Sequence, residues 1–219
     1  MQVDTQQMIT EGCQWSVSNQ KYGYVSHSFN QFVKVDSGRL VAVDHGDAHP
    51  RSVVLTVYPS DKADERFDLD YYNACVCADM LAINGQQGDN YTGCSVGGFE
   101  ISDTSYIVAG ASVNQSTAEK QKTRNIFVSA ISKNELSAAE ATVTYLTDYK
   151  EGLEGASTPH LVKISSDSFM VLWSYLGRVY YVPVDATGEK AGEVLSLDGD
   201  LSDCAPVVSG DKLIWYTAD

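Results

Sequence analysis

The stretch from His27 to Arg51 holds the densest set of reactive groups in the chain: His27, His45 and His49, Asp44 and Asp47, Arg51, with Asn30 and Gln31 among them. An aspartate beside a histidine can orient an imidazole as a general base, and a guanidinium can hold a carboxylate or an oxyanion. On that chemistry a hydrolase or lyase acting on a polysaccharide would use His45 or His27 with Asp44 or Asp47, and Arg51 alongside. No nucleophile is expected to serve them, because Ser26 and Ser28 stand in no recognised motif and no carboxylate pair is set up for glycoside cleavage. His27, His45, His49 and Asp47 are metal-ligating types, yet neighbouring loop residues seldom present more than two ligands without a firmer spacing. The plainer use of the cluster is local: aspartates making turns, Arg51 pairing with one of them, histidines hydrogen-bonding strand ends. No metal or cofactor is expected. As a binding surface the same stretch offers His27, Asn30, Gln31, Asp44, His45, Asp47 and Arg51 as ligand contacts.

The elements that would position these groups are strands. Apolar and polar residues alternate with period two through Phe32–Val35, Leu40–Val43 and Val53–Val57, each run bounded by Gly, Asp, Ser or Pro. The runs also repeat. FVKVDSGRLVAV at Phe32 matches FEISDTSYIVAG at Phe99 and LVKISSDSFMVLW at Leu161, with APVVSGDKLIWY at Ala205 a shortened fourth copy. A third strand follows each of the first three, at Arg51–Tyr58, Arg124–Ile131 and Arg178–Val184. A fourth is clear at Ala141–Tyr149 and Gly192–Leu197, and falls between Phe67 and Ile83 in the first unit. Glu135–Glu140 reads as a loop entering a strand, with a one-turn helix as the alternative.

Four-stranded sheets that cannot bury both faces must stack on one another, and radial stacking gives a β-propeller. The expectation is therefore all-β: a propeller or partial propeller of about three full blades plus part of a fourth, in a single domain spanning 1–219. The repeats fall near 29–93, 94–155, 156–200 and 201–219, the last completed by 14–28, where Tyr22–Val25 reads as a strand. Closing a ring from so few blades would need missing blades or a second copy.

Composition narrows the partners. Apolar residues make up 43% of the 219 and charged residues 20%, an ordinary globular mixture. The net charge of −14, from 29 acidic and 15 basic side chains, repels phosphate backbones and argues against nucleic acid. No window approaches the roughly 20 apolar residues of a membrane-spanning helix, and the opening MQVDTQQMITEG carries no secretory signal. Five cysteines cannot all pair internally; Cys75 and Cys77 share a strand face, and either could reach Cys94. Asn90 and Asn114 head glycosylation sequons. The acidic run Asp61–Asp70 and the turn Asp198-Gly199-Asp200 lack the loop spacing of a calcium site.

The phrases SHSFNQFV, VDHGDAHPR, NYTGCSVGGFE, RNIFV, TYLTDYKEG and STPHLVKI resemble β-propeller repeat regions of large secreted or surface proteins of anaerobic, gut-type bacteria, over most of Tyr22–Asp219. The resemblance implies an extracellular or cell-surface parent protein. With it, the leading functional expectation is a non-catalytic binding or adhesion module for a glycan or protein ligand, a fragment of a larger propeller. The alternatives are the hydrolase or lyase above and a structural spacer.

Overall fold

The architecture is a series of antiparallel meanders, each built from strands adjacent in sequence. The computed structural model describes residues 29–45, 51–59, 75–84, 91–116, 123–136, 140–150 and 154–218. The first sheet comprises β1 (Phe29–Asp36), β2 (Arg39–His45), β3 (Ser52–Val57) and β4 (Val76–Ala82), in spatial order 1-2-3-4. The second repeats that order with β5 (Cys94–Ile101), β6 (Ser105–Ser112), β7 (Asn125–Ser132) and β8 (Thr142–Tyr145). The third does so with β9 (His160–Lys163), β10 (Ser168–Tyr175), β11 (Arg178–Asp185) and β12 (Leu195–Asp198). Short strands β13 (Asp200–Leu201), β14 (Val207–Ser209), β15 (Lys212–Ile214) and β16 (Thr217–Ala218) form two ribbons, pairing β13 with β16 and β14 with β15.

Local chemistry explains the hairpins. Ser37 and Gly38 both have positive φ, at 51° and 81°, and so do Leu176 and Gly177, at 50° and 71°. Two left-handed residues in a two-residue loop make the turn whose twist matches that of paired strands, which fixes the registers Asp36↔Arg39 and Tyr175↔Arg178.

The second sheet sits in the middle, and its strands β6 and β7 are covered on both faces. One cluster packs Val41, Val43, Val53 and Leu55 of the first sheet against Phe99, Tyr106, Val108 and Phe127. The other packs Ile107, Ala109, Ile126 and Val128 against Leu161, Phe169, Val171, Trp173 and Val182 of the third. Consecutive residues of β6 therefore serve opposite cores, and β6 is buried along its whole length. Each fully buried large side chain contributes roughly 1.5–3 kcal/mol, so these two seams hold the molecule together.

The seams are also pinned by polar contacts. Asp36 of β1 accepts a hydrogen bond from the Tyr106 hydroxyl at 2.8 Å and an ion pair from Lys133 at 3.0 Å. Lys34 pairs with Glu100 at 2.6 Å. At the other seam the Thr158 hydroxyl donates to Ser95 at 2.8 Å.

The expected propeller is not what forms. The described strands give three separate four-stranded sheets and two two-stranded ribbons, each with a linear strand order and two free edges, and none closed on itself. A ring requires the last sheet to cover the first. Here Val33 and Val35 on β1 stay 64% and 66% exposed, and Val207 and Ile214 on the last ribbon 56% and 49%. The partial propeller of three blades and part of a fourth is thus corrected to an open series of sheets, and the resemblance to bacterial propeller repeats falls with it. Residues 14–28, expected to complete the last repeat, lie outside the described residues.

Candidate functional site

The cluster that opened the sequence analysis does not converge where it is described. Asp44 and His45 are successive residues of β2, paired with Val54 and Val53, so their side chains leave opposite faces of the first sheet. His45, 1% exposed, shares the face of Val41 and Val43, which is turned to the second sheet. Asp44 is buried on the other side. An aspartate on the far face cannot orient that imidazole. Arg51 is buried and donates to the carbonyls of Asn84 and Tyr91, while its own carbonyl accepts the Ile83 N–H at 2.9 Å. It thereby straps the exit from β4 to the entry of β5. Asn30 and Gln31 lie in β1. His27, Asp47 and His49 fall outside the described residues. Among the described residues no three His, Cys, Asp or Glu side chains stand close enough to share a metal ion.

Gly93-Cys94-Ser95-Val96-Gly97 spells Gly-x-Ser-x-Gly, a signal that the expectation of no nucleophile overlooks. Its setting removes the chemistry. A nucleophile elbow is a sharp strand-to-helix turn, whereas Ser95 lies within β5, opposite Ala111, and its hydroxyl accepts from Thr158. Gly97 and Gly98 serve packing instead, at a bulge in the β5–β6 ladder where β5 closes on Pro159 and Leu161.

Cys94, beside Ser95 in the same motif, is equally inert. Cys75 is disulfide-bonded, whereas Cys77, Cys94 and Cys204 form no disulfide, so the expected bridge to Cys94 is absent. Burial pushes the Cys94 thiol up to about 12 against help from Ser112 and Arg124, which leaves it protonated and unreactive.

A cleft of about 380 Å³ opens where the β10–β11 turn meets residues 154–157 and β13. Ser157 accepts the Ser174 N–H at 2.8 Å, and Ser174 accepts the Leu201 N–H at 2.6 Å, so both hydroxyls already hold the chain. Tyr175 forms one wall, stacked on Tyr149 at 3.8 Å, and Tyr149 in turn accepts from the Trp173 indole. Glu154 and Asp200 stand exposed at the rim. The cleft has room for a small polar or cationic group and holds no histidine, cysteine or ordered proton relay. Its sequence signal, Ser174-Tyr175-Leu176-Gly177, is short and uncharged, which is why spacing alone passes it over.

The other unusual surface is apolar. On β1, Lys34 and Asp36 face the second sheet, so Val33 and Val35 must face away from it. On the last ribbon Val208 pairs with Leu213, and Trp215 beyond Leu213 packs on Tyr181 of the third sheet at 6.4 Å. Val207 and Ile214, paired on the opposite face, therefore point outward, with Tyr216 beside them at 74% exposure.

The chain matches no protein-family model and no curated protein. Without a ring, and with Asp44 and His45 on opposite faces, two expectations lose their structural basis: the propeller-borne binding or adhesion module and the polysaccharide hydrolase or lyase. No helix among the described residues is long and apolar enough to cross a membrane.

Proposed function

We propose that the chain is an association unit, whose role is to join another β-sheet surface through its apolar ends. One observation carries this reading: β6 and β7 of the middle sheet are buried on both faces, while Val33, Val35, Val207, Ile214 and Tyr216 are left in water at the two ends of the series. Isolated exposed valines are ordinary; paired outward-facing ones on the terminal element of each end form faces of the kind that interfaces bury. A two-stranded ribbon is also only marginally stable alone, and a covering sheet would stabilise it. The acidic net charge opposes self-association at low salt and favours a partner with less negative charge, or the same partner once salt screens the repulsion.

Sedimentation velocity tests this on the full chain across protein concentration, at low salt and at about 0.5 M salt, where the Debye length falls to a few ångströms. The expected result is association that grows with concentration and with salt. A single 23.8 kDa species under every condition, with no gain in mass on adding other β-sheet proteins, contradicts the proposal.

A further inference from the structure

We infer that the partner is a second copy of this chain, docked head to tail: the outward face of the β14–β15 ribbon of one copy covers the outward face of β1 of the next. The inference rests on the association reading above and adds the occupant and its orientation. Continuity with the interfaces inside the chain supports it. Each sheet receives the next through its first strand, β5 lying against β1, β9 against β5 and β14 against β9. The β14–β15 ribbon is the last member of that series, and among the described residues no sheet lies on its outer side or on the side of the first sheet turned away from β5. The unmet requirements are thus complementary: Val207 and Ile214 project from one end, Val33 and Val35 from the other.

The outer face of the first sheet is open along β1 alone: Val33 and Val35 are exposed, whereas Ala42, Asp44, Thr56 and Tyr58 on that face are buried. Val33 pairs with Ala42 and Val35 with Leu40, and Leu40 and Ala42 already pack with Tyr58 and Cys75 in a small cluster. The valines extend that cluster into solvent. Head-to-tail docking uses different patches on the two copies, so every copy keeps one free end and growth continues beyond a dimer.

The test is complementation. A head variant (Val33→Asp with Val35→Asp) keeps its tail, and a tail variant (Val207→Asp with Ile214→Asp) keeps its head. Each alone should lose association by roughly a hundredfold or more, because every self-contact needs one damaged face. Mixed, the two should form a 1:1 complex and nothing larger. All four positions are exposed, so native circular dichroism should persist; milder Val33→Thr/Val35→Thr and Val207→Thr/Ile214→Thr pairs serve where an aspartate variant unfolds. A wild type that assembles while the mixture stays monomeric overturns head-to-tail docking and leaves the association reading standing. A wild type that never associates with itself, yet binds another β-sheet protein through the same residues, also overturns it. A wild type that binds nothing removes both.

Discussion

At the residue scale the most consequential group is Asp36. Burial alone would raise its carboxyl, but hydrogen bonds from Tyr106 and Lys133, with the ammonium charge beside it, outweigh burial and hold it below the ordinary value. Tyr106 moves the opposite way, raised by burial and by Asp36. A depressed folded value means that the contribution to stability is present above the unfolded pKa of about 3.9 and is lost as pH falls through the folded one. Asp36→Asn should therefore lower the melting temperature at pH 7, a cost of roughly 1–3 kcal/mol for breaking a charged, mostly buried hydrogen bond. The difference from wild type should shrink as pH falls below the unfolded value of about 3.9, and a gap that stays constant with pH refutes the pin. A thiol probe makes a second check: Cys204, exposed, should react quickly in the native protein, and Cys94 only on unfolding. The chemistry at this scale was poorly legible in the sequence. Asp44 next to His45 looks like a catalytic pair as text, but adjacency in a strand sends two side chains to opposite faces.

At the element scale, the bulge in β5 carries the junction with the third sheet. A Cβ on Gly97 would lie 1.6 Å from the Pro159 carbonyl oxygen, and one on Gly98 2.6 Å from the Leu161 Cβ. Backbone cannot yield there as a flexible side chain would, so Gly97→Ala should cost more than about 3 kcal/mol or prevent folding. Gly177→Ala is the matched control. It has φ of +71° but nothing within 4 Å of the added Cβ, so it should lose only about 1 kcal/mol, measured by urea unfolding. Equal losses would mean that close approach is not what Gly97 supplies. The strands themselves were legible, since period-two runs and two-residue turns mark all three sheets. What alternation does not mark is phase. Val-Lys-Val-Asp in β1 announces two faces, and valine on the inward face is the natural choice; the structure turns Lys34 and Asp36 inward, half-buried against ion and hydrogen-bond partners, and leaves the valines out.

At the scale of the whole molecule, the repeat in the sequence tells how many sheets to expect and says nothing about whether the last meets the first. That relation depends on the small rotation between successive sheets, summed along the series, and no residue pattern encodes the sum. Hence the repeat unit was legible and the open ends were not. The account now turns on a sealed middle and two apolar ends that find cover in other copies. Amide hydrogen exchange of the full chain at low and at high protein concentration tests this most directly. The account predicts slow exchange in β6 and β7 at both concentrations, and exchange in β1 and β14–β15 that is fast when dilute and slows when concentrated. Protection of β1 and β14–β15 that is already high in dilute solution and unchanged by concentration would contradict it.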